Sequence, residues 1–143
     1  MTGDRAVVRV RRVRTRNGVR LEIAAPASGR AIRLCPLELE TLTWQTHEGL
    51  AALRAAGGEA APAVAATLEG ELAGDAAVEL ANEYAAVSVR RVGASGDERL
   101  EIVAQRIGCG IRLAAGELQT LAGQPHDTFS RFLETPFGPG GER

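Results

Sequence analysis

From Val8 to Arg16 apolar residues alternate with arginine, Asn17-Gly18 follows, and Val19 to Ala25 alternates again. A period of two marks a half-buried strand, and Asn-Gly between two such runs is a strong hairpin signal, so two antiparallel strands with a turn at Asn17-Gly18 are predicted. That pairing puts Val8, Val10, Leu21 and Ile23 on one face, with Arg9, Arg11, Arg20 and Glu22 on the other. Pro26, Ser28 and Gly29 mark a loop, after which Ala31 to Cys35 reads as a third short strand with Ile32 and Leu34 inward. Pro36 opens a helix bearing Leu39 and Leu42, the chain bends near Gln45-Thr46, and a second short helix carries Leu50 and Leu53.

The pattern then returns. Shifted by 79 residues, Val8 to Arg54 aligns without a gap to Val87 to Leu133, with 20 identities in 47 positions; this composition gives about five by chance, so the chain reads as a tandem duplication. Val10-Arg11-Arg12-Val13 matches Val89-Arg90-Arg91-Val92, Arg20-Leu21-Glu22-Ile23 matches Arg99-Leu100-Glu101-Ile102, and Ile32-Arg33-Leu34 matches Ile111-Arg112-Leu113. Glu38, Gln45 and His47 match Glu117, Gln124 and His126. Phe129 and Phe132 replace the leucines of the second helix, and the second turn falls at Gly93 to Asp97.

Residues 1–54 thus form one unit, 55–77 a linker, 78–138 a second unit and 139–143 a tail. The alanine- and glycine-rich linker predicts at most one weak helix around Ala63 to Leu72, and Val78 to Leu80 predicts a short leading strand for the second unit. The expected fold class is α+β: two strand-strand-strand-helix-helix units with antiparallel sheets and helices on one face. A unit of about 50 residues is marginal alone, so the two are expected to share a core about a pseudo-twofold axis, as a fused dimer in a monomeric chain.

Composition narrows the chemistry. Hydrophobic residues make up 45% and charged residues 24% of the 143, which suffices for an ordered core. All 17 basic residues are arginine. Without lysine, Schiff-base catalysis, pyridoxal phosphate anchorage and the lysine-bearing phosphate loop are excluded, and no cofactor is expected. With no signal peptide pattern and no membrane-spanning apolar run, the expected location is cytoplasmic. Cys35 and Cys109 suggest neither a disulfide framework nor, with two histidines, a zinc spacing, and read as buried free thiols. The alanine and arginine usage suggests a genome rich in guanine and cytosine. Charge is uneven: residues 1–54 hold ten arginines and five acids, whereas 55–81 hold five acids and no base. This marks either an anionic partner for the basic part or a basic lobe screened by its own acidic linker.

Three constellations have functional readings beside structural ones. Arg11, Glu22 and Arg33, with Arg90, Glu101 and Arg112, can form diagonal cross-strand ion pairs on the outer face or offer a basic saddle to single-stranded nucleic acid. The layout resembles the positive-cofactor-four class of single-strand binders, but the predicted strands lack stacking aromatics. Arg12 and Arg91 point toward the helix side, where Glu38 and Glu117 are the expected partners and an anionic ligand the alternative. His47 and His126, each followed by an acid, are either polar residues opening exposed helices or, if the axis runs between them, a metal or acid–base site. No GxSxG or dinucleotide-binding glycine motif is present.

The strings Ala81-Asn82-Glu83-Tyr84-Ala85, Thr15-Arg16-Asn17-Gly18-Val19-Arg20-Leu21-Glu22-Ile23, Leu37-Glu38-Leu39-Glu40-Thr41-Leu42-Thr43-Trp44-Gln45 and Leu133-Glu134-Thr135-Pro136-Phe137-Gly138-Pro139 resemble short actinobacterial proteins about one unit long, some bearing the name dihydrodiol dehydrogenase. This chain departs from them in being doubled, in carrying Gly123 where the first unit has Trp44, and in lacking a Pro-Phe-Gly ending after the first unit. Dehydrogenase activity has no support in the motifs. The resemblance implies instead an accessory role beside oxidative catabolism enzymes. The leading expectation is a non-catalytic accessory or protein-binding module; single-stranded nucleic-acid binding and a small metal-dependent enzyme at the histidines are the alternatives.

Overall fold

The computed structural model describes residues 6–57, 64–74, 76–93 and 98–134. The first half runs β1 (Ala6–Thr15), β2 (Gly18–Ala25), β3 (Arg30–Leu34), α1 (Pro36–Leu42) and α2 (His47–Gly57). Then come β4 (Val64–Leu68), a 3-10 turn (Gly70–Ala73) and β5 (Val78–Ala81). The second half repeats the first: β6 (Ala86–Val92), β7 (Arg99–Ala104), β8 (Cys109–Leu113), α3 (Ala115–Ala122) and α4 (His126–Glu134). The class is α+β, with two four-stranded sheets in the orders β3-β2-β1-β4 and β5-β6-β7-β8.

The linker differs from expectation. Val64–Leu68 is a strand paired parallel to β1, and the segment that follows it is a single 3-10 turn, so no α-helix spans the described part of 63–72. Alanine favours helix, but the free edge of β1 offers a row of backbone donors and acceptors, and pairing there buries Leu68 and Leu72. Tertiary pairing overrides local propensity. The expected leading strand is β5, antiparallel to β6. Residue 63, residues 94–97 of the expected second turn, the last residues of the second unit and the tail 139–143 lie outside the described residues.

The first hairpin keeps its predicted faces but not its predicted turn. Thr15 pairs with Gly18, leaving Arg16-Asn17 as the turn, and Val10 lies opposite Ile23. Pairing has moved by two residues, which leaves every side chain on its expected face. Thr15 Oγ1 donates to the Gly18 carbonyl at 2.8 Å and accepts the Asn17 N–H at 3.2 Å, while Gly18 takes φ +121° as β2 begins.

The inner faces of both sheets form one core. Val8, Val10, Leu21, Ile23 and Leu34 of the first half join Val87, Val89, Leu100, Ile102 and Leu113 of the second, with Leu39, Leu42, Leu118, Leu121 and Phe129 from the helices. The helices are exchanged: α1 packs mainly on β6 and β7, and α3 mainly on β2 and β4, while α1 meets α4 and α2 meets α3. The first helix of each half therefore seals the sheet of the other. A hydrophobic face that a 50-residue unit could not cover alone is buried by its neighbour.

Candidate functional site

The polar positions singled out by their repetition occupy two places, the outer sheet faces and the seams between halves. On the first outer face Arg11 lies opposite Glu22 and Glu22 opposite Arg33, a straight row across three strands and not the diagonal expected. Arg11 Nε donates to Glu22 Oε1 at 2.6 Å and Arg33 Nε to Glu22 Oε2 at 3.0 Å. The second face repeats the row, with Arg90 Nε to Glu101 Oε1 at 2.7 Å and Arg112 Nε to Glu101 Oε2 at 2.9 Å. Burial pushes the Glu22 carboxyl up, but the two arginine hydrogen bonds outweigh it and hold it below its ordinary value. At Glu101 the bonds from Arg90 and Arg112 dominate and lower the carboxyl against a smaller effect of burial. Two arginines share one glutamate in each row, so each row carries one surplus positive charge on a face with half-exposed guanidinium groups.

Arg12 does face inward, but its partners are not Glu38. It bonds Glu71 and donates to the Glu79 carbonyl at 3.1 Å, joining the end of β1 to the 3-10 turn and to β5 of the other sheet. Arg91 reaches Glu98 at 3.4 Å, not Glu117. Arg9 pairs with Glu69. The acidic segment therefore folds back onto the basic strand at two points, through Glu69 and Glu71, neither of which the sequence singled out. Their only sequence signal was the block of five acids without a base.

Glu38 and Glu117 have different work. Each sits at the third position of its helix and reaches back, Glu38 Oε1 accepting the Cys35 N–H and Glu117 Oε1 the Ala114 N–H, both at 2.9 Å. The other oxygen crosses to the opposite half: His47 Nδ1 lies 2.5 Å from Glu117 Oε2, and His126 Nδ1 lies 2.9 Å from Glu38 Oε2. The histidines therefore do not meet each other; each opens a helix and is held by a carboxylate of the other half. Among the described residues no group of three or more His, Cys, Asp or Glu is placed to hold a metal ion.

A third seam contact is unlike in the two halves. Arg30 donates to the Gly123 carbonyl at 3.3 Å, and a Cβ on Gly123 would stand 3.0 Å from Arg30 Nη1. At the equivalent places the residues are Cys109 and Trp44, whose indole N–H donates to the Phe132 carbonyl at 3.3 Å. Cys35 is half-buried, and burial raises its thiol pKa.

Among the described residues no helix is long and apolar enough to cross a membrane. Comparison of the chain with protein-family models, with curated proteins and with solved structures finds no match in any of the three.

Proposed function

We propose that this protein is a non-catalytic accessory module that binds an acidic segment of a protein partner on its two outer sheet faces. The observation that carries the reading is the doubled Arg-Glu-Arg row, with one surplus positive charge in each, on faces whose guanidinium groups are half-exposed. Rigid strands hold the guanidinium groups at fixed spacing, and the shared glutamate orients each by its Nε, leaving the terminal amino groups for carboxylates. A role beside enzymes of oxidative catabolism, in the cytoplasm, fits the resemblance of the unit to the short actinobacterial proteins. A single nucleic-acid strand is a weaker fit, because neither outer row carries an aromatic side chain on which bases could stack.

The test is fluorescence anisotropy of labelled poly-glutamate and of a labelled oligo-thymidine with the intact protein across a salt series. Poly-glutamate binding that weakens with salt, and is lost when Arg11, Arg33, Arg90 and Arg112 are replaced by glutamine, supports the reading. No binding at low salt overturns it, and preference for the oligonucleotide replaces it with single-strand recognition.

A further inference from the structure

An open cavity of about 560 Å³ lies on the seam between halves, lined by Gln45 and His47 of the first and by Glu101, Gly110, Ile111 and Arg112 of the second. Its volume falls within the range of small-molecule sites. Its lining repeats more closely than the chain as a whole. At the equivalent positions stand Gln124, His126, Glu22, Ala31, Ile32 and Arg33, so five of the six residues are identical, against 20 of 47 across the whole alignment. Glu117, which holds His47 from behind, is matched by Glu38.

The polar groups of this cavity are fixed and only partly used. His47 is anchored through Nδ1 by Glu117, itself tied to the Ala114 N–H, so the imidazole is held in one orientation with Nε2 as its remaining polar atom. Gln45 donates its Nε2 to the Thr41 carbonyl at 3.1 Å, which leaves its side-chain oxygen. Arg112 gives Nε to Glu101 and keeps its terminal amino groups. The exposed backbone of Gly110 completes the lining, while Ile111 belongs to the core and meets the cavity only at its edge.

We propose that this cavity binds a small organic carboxylate, its carboxylate on Arg112 and a second polar group on His47 and Gln45. The volume exceeds what a simple inorganic anion fills, and the bare backbone of Gly110 leaves room beside Arg112 for the rest of an organic molecule. Glu101 neutralises one side of Arg112 without covering its forked end, the geometry that takes a carboxylate in two parallel hydrogen bonds. Arg112 is shared with the outer row proposed to meet a partner, whereas His47 and Gln45 lie outside both sheets, so Gln45→Leu tests this cavity apart from that reading.

The chain has two histidines, so ring 1H–15N spectra of the intact protein read both seams, with H47Q and H126Q giving the assignment. 4-Hydroxybenzoate, whose hydroxyl can donate to the Gln45 oxygen, is the probe, with sodium chloride at matched ionic strength as control and pH held constant. Expected are a saturable shift of the His47 ring with 4-hydroxybenzoate alone and an affinity about tenfold weaker in R112Q, the scale of one hydrogen bond to a charged group. Gln45→Leu, which leaves the charges in place, weakens binding in parallel, and amide spectra confirm that both variants are folded. A shift that does not saturate, that chloride reproduces, or that R112Q leaves unchanged overturns the proposal, as does saturation confined to His126.

Discussion

His126 Nδ1 lies 2.9 Å from Glu38 Oε2 in the other half, while Glu38 Oε1 accepts the Cys35 N–H at the start of α1. One carboxylate thus closes a helix terminus and clips two halves together. The two tasks differ in weight. The histidine side chain is 60% exposed, and a pair in that setting contributes about 0–1 kcal/mol. The bond to the Cys35 N–H satisfies an otherwise orphan donor, on the scale of about 1 kcal/mol. Glu38→Ala is therefore expected to cost about 1–2 kcal/mol in urea unfolding and His126→Ala less than about 1 kcal/mol. Equal losses would mean that the clip, not the helix terminus, carries the effect.

The two Arg-Glu-Arg rows set an acid limit on stability. Glu22 and Glu101 are held below their ordinary values in the folded chain, so their contribution is fully present above the unfolded carboxyl pKa of about 4.3 and is lost as pH falls through the lower folded values. Glu22→Gln with Glu101→Gln removes both titrations. The double variant is expected to be less stable than the parent at pH 7 and to lose less on acidification from pH 5 to pH 3. Thermal unfolding across that range measures it, and parallel profiles for parent and variant would contradict it.

What the sequence made legible follows from how local each signal is. Alternation in Val8 to Ala25 assigns faces, because parity survives a register shift of two; the turn itself slipped from Asn17-Gly18 to Arg16-Asn17 for the same reason. Leu39 and Leu42 announce a buried helix stripe, but the stripe is the same whether it meets its own sheet or the neighbour's, so the exchange of α1 and α3 had no local mark. The second pair of a cross-half clip is written in the repeat as Glu38 with Glu117 and His47 with His126, yet which acid meets which base depends on that exchange. Linker alanines hid β4, whose reason for being a strand is the edge of β1.

Gly18 opens β2 at φ +121°, and a Cβ there would meet only Arg20 Nη1, at 3.5 Å. Space is not the constraint; backbone conformation is. Gly18→Ala is expected to destabilise by about 1–3 kcal/mol, the scale of a side chain forced into sparsely populated φ space. The measurement is chemical denaturation with amide exchange at Val13 and Arg20, which are paired across the hairpin. A neutral substitution would show that the turn relaxes into another type.

Because α1 covers β6 and β7 while α3 covers β2 and β4, neither half owns a complete core. Cutting the chain between 57 and 64 leaves a first fragment with three strands and no fourth, since β4 belongs to the second fragment. Co-expressed fragments 1–57 and 64–143 are expected to copurify as one complex with a single unfolding transition, and neither to give a folded monomer. Pairing of the first fragment with itself is disfavoured at the seam. There Arg30 passes over Gly123 so closely that a Cβ would come within 3.0 Å of its guanidinium, and a self-pair would set Trp44 in that place. The unlike residues thus act against the symmetric alternative and favour the mixed pair. Gly123→Trp in the second fragment should accordingly weaken reassembly, measured by sedimentation, whereas the same change with Arg30→Gly should restore it; a folded, exchange-protected monomer of either fragment would defeat the argument.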